Sequence, residues 1–371
     1  MKYTLEQIKE MNPRIRLNNY ARTFSQMQLE TCINCMSHCK HCMGFGAKQH
    51  EPMKMMTKET MIRCIDIAKQ VLNINKIYLQ ISGEFFCNPE AIHLLDYIES
   101  KYSGLDLYID TSGLPITDEV VDRLAAMKNN TVHMSISIWG GTKELYKENN
   151  GVDGFDYVSE TIEKLIDLHT SYDNSFELQF STAYVDKKSV DSVRDYLKSV
   201  CKDHFLGYYE SDENFLGKKD AIVNYVRNFN SFVPADRDDV PEDYATMGKF
   251  PNKSIMMYTN ESSGVPVPYK KSEPTRCDYL ANCMVVRQDG NIVPCFQKLS
   301  KPESAYCNVN ELENIMDILK ILSNQNEYVA KINRDNYVNG AFEECKNCFT
   351  RLTCRWNYLV CRWIIQKSEK Q

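Results

Sequence analysis

Three cysteine thiols lie close together near the start of the chain and form its most chemically distinctive feature. Cys35, Cys39 and Cys42 follow the spacing Cys-x3-Cys-x2-Cys, so one short loop can bind three irons of a cubane cluster and leave the fourth iron open. Thiolates also bind zinc well. The alternative is therefore a structural zinc knuckle made by these three thiols with Cys32, with the two nearby histidines as spare ligands.

A second group of cysteines lies towards the end of the chain, where eight thiols fall between Cys277 and Cys361. The chain has fifteen cysteines in 371 residues. Stable disulfides are rare in a reducing compartment, so metal binding explains this excess better than disulfide pairing. The distribution predicts two separate metal sites.

The elements that must position these thiols are short β-type runs alternating with helical patterns, which is typical of parallel strands with crossover helices. Thr57 is the predicted N-cap of the first helix, and Cys64 recurs there with the apolar core positions. Further helices are predicted around residues 155–166 and 190–200. The six predicted strands are Thr23–Glu30, Lys76–Ser82, Leu105–Asp110, Val132–Ile138, Phe176–Tyr184 and Phe205–Tyr209.

The pattern predicts four segments along the chain. Residues 1–22 form an N-terminal helical extension, residues 23–215 the βα units, residues 216–274 a proline-containing linker or cap, and residues 275–371 a cysteine-rich domain. Within the last segment, Asp289-Gly290-Asn291 predicts a hairpin turn. A helical pattern runs from Glu311 to Leu322.

Two further short motifs follow the second and third predicted strands, namely Ser82-Gly83-Glu84 and Thr111-Ser112-Gly113. Together with the Cys-x3-Cys-x2-Cys loop, and in this order over about residues 27–186, they make the sequence resemble the radical S-adenosylmethionine (SAM) superfamily. The resemblance implies an α/β fold with a partial (β/α)6 TIM-like barrel. It also implies a 4Fe-4S cluster held by Cys35, Cys39 and Cys42, whose open iron binds the amino and carboxylate groups of SAM.

The resemblance implies a role for several residues at the strand ends. Gly83 would let the backbone approach the amino group of SAM and Glu84 would supply negative charge beside it, although both also fit an ordinary turn after a strand. Ser137 would touch the ribose or carboxylate of SAM, in a segment where Trp139 replaces the usual aspartate. The implied cofactor-binding residues are Ser82, Gly83, Glu84, Thr111, Ser112, Ser137 and Ser181, the last of which could equally be structural.

The second cysteine group resembles the SPASM or twitch extension of that superfamily, which implies a C-terminal domain with one or two auxiliary 4Fe-4S clusters. The pattern departs from the family at Tyr358, where a thiol is usual, so the fourth ligand of each cluster stays open. Cys307 is either a ligand or a replacement for the glycine of a Gly-Asn turn, and zinc remains the alternative metal for the whole group. The implied ligands are Cys277, Cys283, Cys295, Cys307, Cys345, Cys348, Cys354 and Cys361.

The activity that the resemblance implies is reductive cleavage of SAM to a 5'-deoxyadenosyl radical, which abstracts hydrogen from an unactivated C–H bond. The first hypothesis is a peptide or protein substrate that is oxidised, crosslinked or epimerised. The second is dehydrogenation or epimerisation of a small hydroxylated molecule, such as a carbohydrate or aminocyclitol. Only about 34 residues precede the first cluster motif, fewer than the leader-peptide-binding domain of many peptide-modifying relatives would need, which weakens the first hypothesis.

Two lone cysteines could take part in such a reaction. Cys87 and Cys201 are candidate donors of a hydrogen atom to a substrate radical, although a lone cysteine is more often buried and inert. From a different class, a zinc-stapled binding protein without catalysis is the remote alternative for the whole chain.

Charge and composition limit the partners. The net charge is -6, and the basic residues form no stripe, so neither nucleic acid nor a membrane surface is an expected partner. No apolar run is long enough for a signal peptide core or a membrane span, which predicts a cytoplasmic enzyme. A flavodoxin or ferredoxin is the expected reducing partner of the implied cluster.

Overall fold

The structure is a computed structural model that divides into two compact units. The larger unit comprises residues 30–61 and 76–269, and the smaller unit comprises residues 1–29, 62–75 and 270–371. The predicted extension over residues 1–22 lies outside the described residues. The structure describes residues 24–39, 54–171, 175–182, 187–203, 207–209, 221–223, 232–234, 249–250, 254–256, 283–295, 302–313 and 317.

The described elements include all six predicted strands, with helices between them. The strands are β1 (Gln26–Leu29), β2 (Lys76–Tyr78), β3 (Asp106–Thr111), β4 (Thr131–Ser137), β5 (Phe176–Ser181), β6 (Gly207–Tyr209), β7 (Ala221–Val223), β8 (Phe232–Pro234), β9 (Lys249–Phe250), β10 (Ser254–Met256), β11 (Cys283–Val286), β12 (Asn291–Val293) and β13 (Cys307–Asn308). The helices are α1 (Lys58–Asp66, continued by a π-helical turn over Ile67–Val71), α2 (Ala91–Lys101), α3 (Asp118–Ala126), α4 (Lys143–Asn150), α5 (Phe155–Thr170) and α6 (Lys187–Asp203).

In the larger unit, β2, β3, β4 and β5 are neighbours in that order and pair in parallel. The order of these strands in the sheet follows their order along the chain. When each connection between such strands is a right-handed crossover, the connecting helices all lie on one face of the sheet. The side chains of that face are apolar and buried, as Leu107, Val132 and Phe180 illustrate. Side chains alternate between the faces, so the opposite face carries polar residues such as Ser135 and Ser181.

The sixth predicted strand does not extend this sheet. β6 pairs in parallel with β7 in a separate two-stranded sheet. The Ala-Ile-Val segment of β7 lies in the predicted linker. Its two β-branched residues favour the extended conformation of a strand that pairs with the edge of β6. The predicted linker or cap over residues 216–274 also contains β8, β9 and β10, which form a three-stranded antiparallel sheet.

In the smaller unit, β1 pairs in parallel with β11, and β11, β12 and β13 continue as antiparallel neighbours. The predicted hairpin turn joins β11 to β12, and Gly290 has the positive φ of 83° that such a turn favours in glycine. The helix predicted from Glu311 does not begin there, because Glu311 ends a 3-10 turn. The side chain of Arg63 binds the carbonyls of Val309 and Leu312 and holds this turn in place.

The first helix begins as the sequence predicts. The hydroxyl of Thr57 accepts a hydrogen bond from the backbone nitrogen of Thr60 at 3.3 Å, which satisfies one free donor of the first turn of α1. Cys64 is fully buried, as expected of a core residue. Among the described residues, no helix combines the length and apolar character that a bilayer crossing requires.

Candidate functional site

The loop of residues 30–39 holds two of the predicted cluster ligands. Cys35 and Cys39 are both partly exposed, whereas Cys32 is buried. The thiol of Cys32 accepts the backbone N–H of Asn34 at 3.4 Å and stabilises the turn of the loop itself. The zinc alternative would need this buried thiol as a metal ligand, together with the two partly exposed thiols. The third predicted ligand, Cys42, lies outside the described residues.

The Ser82-Gly83-Glu84 motif packs directly against the backbone of this loop. Gly83 has φ of 75°, and a Cβ atom built there would lie 2.5 Å from the carbonyl oxygen of Cys32. The next backbone nitrogen, that of Glu84, donates to the carbonyl of Asn34 at 2.8 Å, and the hydroxyl of Ser82 donates to the carboxylate of Glu30. Glycine at position 83 is therefore required for the loop and the end of β2 to meet.

The carboxylate of Glu84 joins three of the predicted motifs at one buried point. The side chain is 3% exposed. One oxygen accepts the thiol of Cys35 at 3.0 Å and the hydroxyl of Ser112, and the other accepts the hydroxyl of Thr111 at 2.9 Å. The carboxyl ends of parallel strands share one edge of a sheet, which explains how residues distant in sequence meet here.

The electrostatics of this point depend on what Cys35 binds. Burial, and then the neighbouring charge of Glu84, raise the pKa of the Cys35 thiol, so the free thiol stays protonated at neutral pH. Metal binding replaces that proton. Two thiols four residues apart on one short loop fit the donor set of an iron-sulfur cluster. The carboxylate of Glu84 and metal-bound thiolates would repel each other. Their combined negative charge therefore favours the binding of a cation beside them.

Two of the other predicted cofactor-binding residues lie on the polar face of the sheet. Ser137 and Ser181 are register partners on β4 and β5. Their hydroxyls are 3.2 Å apart, and the hydroxyl of Ser135 lies 3.2 Å from that of Ser181. The three hydroxyls form a polar cluster at the carboxyl end of both strands.

A cleft of about 820 Å³ opens beside Cys35 in the larger unit. Cys87, one of the two predicted hydrogen donors, lies at the end of a 3-10 turn over Phe85–Cys87 and also lines this cleft. Burial is the main cause that raises the pKa of Cys87 to about 12, so its sulfur keeps the hydrogen at neutral pH. The other candidate, Cys201, lies in α6, but its side chain is outside the described residues. The cleft is lined by Asn34, Cys35, Met36, Phe86, Cys87, Leu114, Pro115, Thr117, Asp153, Gly154 and Tyr157.

The last turn of α4 contributes residues that the sequence did not predict. The amide nitrogen of Asn150 lies 3.9 Å from the sulfur of Cys39, and one turn earlier on the same helix Tyr146 is fully buried. The available signal was weak: Asn150 precedes Gly151, a glycine that ends the helix with φ of 72°. A polar residue followed by a glycine predicts where a helix ends. It does not predict which part of the chain packs against that helix end.

In the smaller unit, the strand register separates two of the predicted auxiliary ligands, Cys283 and Cys307. Val285 pairs with Val293, where β12 ends, so Cys295 lies two residues beyond the strand. Cys307 pairs with Ile292, which pairs with Val286. Val286 is three residues from Cys283, so alternation puts Cys307 on the other face of the sheet. The remaining predicted ligands of this group, Cys277, Cys345, Cys348, Cys354 and Cys361, lie outside the described residues.

Comparison with known proteins gives three findings. Residues 29–176 match the family model of the radical SAM superfamily. The tungsten-containing aldehyde ferredoxin oxidoreductase cofactor-modifying protein of Pyrococcus furiosus is 23% identical over 284 residues, which cover 74% of this chain and 71% of that protein. SuiB of Streptococcus suis bound to S-adenosylmethionine is similar in fold, with a TM-score of 0.51 and 14% identity over 83% of this chain and 68% of SuiB. A second SuiB structure gives a TM-score of 0.50, 16% identity and coverage of 84% and 68%.

Proposed function

We propose, from the premise that residues 29–176 form a radical SAM domain, that the chain is an enzyme that cleaves SAM reductively. The observation that carries the proposal is the carboxylate of Glu84, which contacts Cys35 from one motif and Thr111 and Ser112 from another. A zinc knuckle would bring the thiols together but has no need of a buried carboxylate bound to the end of a further strand.

The residues of the chain have separate tasks in this proposal. Cys35 and Cys39, with Cys42, hold a 4Fe-4S cluster. When bound, that cluster supplies the electron that cleaves SAM into methionine and a 5'-deoxyadenosyl radical. Glu84 provides the negative charge that a SAM ammonium group would pair with. Thr111 and Ser112 fix the orientation of the carboxylate by donating to it, so that it need not reorganise when SAM binds.

The remaining cofactor contacts belong to the polar face of the sheet. Ser137 and Ser181 offer hydroxyls to the ribose or carboxylate of SAM, and their mutual hydrogen bond orients both. Cys87 lines the cleft beside Cys35, where a protonated thiol could return a hydrogen atom to a substrate radical. A flavodoxin or ferredoxin in the cytoplasm is the proposed source of the electron.

The proposed substrate is a peptide or protein, and the resemblance of the second cysteine group to SPASM enzymes supports it. A small molecule is the second candidate, because the Pyrococcus furiosus relative is named as a protein that modifies a cofactor. A gene for a short peptide beside the gene for this chain would favour the first candidate. A neighbouring gene for a sugar-modifying enzyme or for a cofactor-dependent oxidoreductase would favour the second.

Metal analysis of the anaerobically purified protein tests the proposed function. We expect iron and acid-labile sulfide in at least the amounts that one 4Fe-4S cluster requires. Zinc as the sole metal would refute the proposal and support the non-catalytic alternative.

The strand register makes a further prediction about the auxiliary cluster that this proposal includes. Cys283→Ala and Cys295→Ala are each expected to lower the iron content by the equivalent of one cluster, because the resemblance to the SPASM extension implies both as ligands and the register puts Cys283 on the sheet face opposite Cys307. Cys307→Ala, on the other face, is expected to keep the full iron content. Iron and sulfide assays on the three variants check this. Equal losses in all three would show that the face of the strand does not select the ligands.

A further inference from the structure

The polar face of the sheet carries a second row of side chains, two residues before the hydroxyls of Ser137 and Ser181. Asp110 on β3 pairs with Ser135 on β4, and Ser135 pairs with Gln179 on β5. These three residues, here called the inner row, therefore lie side by side across three neighbouring strands. Neighbouring strands are about 4.8 Å apart, so the side chains of the row can reach one common ligand between them.

A hydrogen bond fixes the face to which the inner row belongs. The hydroxyl of Ser135 donates to that of Ser181 at 3.2 Å. Gln179 precedes Ser181 by two residues on β5, so alternation puts it on the same face. Two residues along a strand span about 7 Å. A molecule bound to the inner row would therefore lie next to the hydroxyls that are proposed to contact SAM, as a substrate must.

The inner row faces an accessible space. Asp110 is exposed, although β3 lies between β2 and β4 in the sheet. Its neighbours along the strand, Ile109 and Thr111, are both buried. An exposed carboxylate in the middle of a sheet shows that the described residues leave this face open at the inner row.

The side chain of Gln179 offers an acceptor to this space. Its carbonyl oxygen is buried, and it makes no hydrogen bond within the part of the chain that the structure describes. Buried polar atoms nearly always have a hydrogen-bond partner, because an acceptor without one has lost its hydrogen bonds to water. A bound molecule with N–H or O–H groups would supply the donor.

The charges on the polar face favour a cation at the inner row. Towards the amino ends of the strands, His133 lies 3.1 Å from Asp106 and 3.4 Å from Glu177. Lys76 is the register partner of Asp106. These two basic side chains are therefore grouped with two carboxylates of their own, and the carboxylate of Asp110 in the inner row is a third. The polar face of β2 to β5 thus has a net negative charge even when His133 is protonated.

We propose that the inner row binds a primary ammonium group of the substrate and holds the substrate beside SAM. The inference rests on the proposed function, since it takes an enzyme that cleaves SAM as the host. An ammonium group carries three donors and a positive charge, which match the carboxylate of Asp110 and the carbonyl oxygen of Gln179. A hydroxyl group would supply a donor without the charge. The lysine side chain of a peptide and the amino group of an aminocyclitol both have this chemistry.

Isothermal titration with two matched pairs of probes tests the inference. The protein is the cluster-loaded full chain, saturated with SAM and kept oxidised so that SAM stays intact. The first pair is Nα-acetyl-lysine amide and Nα-acetyl-norleucine amide, and the second is an aminocyclitol with one amino group and the cyclitol with a hydroxyl in its place. We expect the ammonium member of at least one pair to bind about tenfold to 100-fold more tightly than its neutral partner.

Two variants of the inner row, with one control, locate the bound group. Asp110→Asn removes the charge and Gln179→Leu removes the acceptor, so each is expected to lose most of the preference for the ammonium probe. Asp118→Asn is the matched control, because that carboxylate is 80% exposed in the first turn of α3 and pairs with Lys164. It should keep the full preference. Should Gln179→Leu fail to fold, Asp110→Asn at its exposed position decides alone.

The possible results separate this inference from the proposed function. A preference within the lysine pair assigns the ammonium group to a peptide, and one within the cyclitol pair assigns it to a small molecule. No preference in either pair, or a preference that Asp110→Asn retains, would overturn the inference. An equal loss of SAM affinity in Asp110→Asn would also overturn it, because the row would then belong to the SAM site. Wild-type protein without iron would instead refute the proposed function.

Discussion

Gly83→Ala is expected to abolish cluster binding while most of the sheet stays folded. The added methyl carbon would lie 2.5 Å from the carbonyl oxygen of Cys32, 2.5 Å from the carbonyl carbon of Ile33 and 2.6 Å from the carbonyl oxygen of Asn34. All three are backbone atoms, which cannot rotate away as a side chain could. The loop must therefore move off the end of β2, and the thiol of Cys35 then loses its contact with Glu84.

The left-handed backbone conformation of Gly83 adds a smaller loss of stability to the steric clash. A second glycine, Gly104, has a similar φ without the clash and so separates the two effects. Gly104 has φ of 69°, but a Cβ atom there would meet nothing within 4 Å. Gly104→Ala should lose only about 1 to 2 kcal/mol of stability from its left-handed φ and retain its iron. Iron and sulfide content together with thermal melts measure both variants. Wild-type iron content in Gly83→Ala would show that the close approach of loop and strand is not needed for the site.

Glu84→Gln is expected to weaken SAM binding about 10-fold to 100-fold without unfolding the chain. Glutamine has the same shape, but its amide group is a donor that would face the hydroxyl donors of Thr111 and Ser112. At least one hydrogen bond is lost, and so is the charge that the ammonium group of SAM would pair with. Hydrogen bonds to charged groups contribute about 1.5 to 3 kcal/mol, and each 1.4 kcal/mol is a factor of ten in affinity.

Isothermal titration of the cluster-loaded protein with SAM measures this change. Glu90→Gln is the control, because that carboxylate lies six residues further along, is 37% exposed and pairs with His93 at 2.9 Å. It should bind SAM as the wild type does. An unchanged SAM affinity in Glu84→Gln would remove the proposed role of the carboxylate.

The strands were predictable because apolar side chains recur in them with a period that the sequence displays directly. Their ends were less predictable. The second strand was expected to reach Ser82 but ends at Tyr78, because the following residues turn to meet the loop: the hydroxyl of Ser82 binds Glu30, and Glu84 binds Asn34. β7 was missed because three residues are too few to show a period.

In the site, residue types and their order along the chain pointed to Glu84, Thr111, Ser112 and Cys35, which do meet. The contact between Asn150 and Cys39 joins residues 111 positions apart. It depends on how α4 packs against the loop, and no local pattern encodes that. The face of the sheet occupied by Cys307 likewise depends on the register of two hairpins, which spacing between cysteines does not specify.

The central claim is that Cys35, Cys39 and Cys42 bind a cluster that cleaves SAM. Its most direct test is to reduce the anaerobically reconstituted protein in the presence of SAM and to measure 5'-deoxyadenosine by chromatography. We predict 5'-deoxyadenosine from the wild type and none from the Cys35→Ala/Cys39→Ala/Cys42→Ala variant. Wild-type protein that carries iron and sulfide yet yields no 5'-deoxyadenosine would contradict the claim.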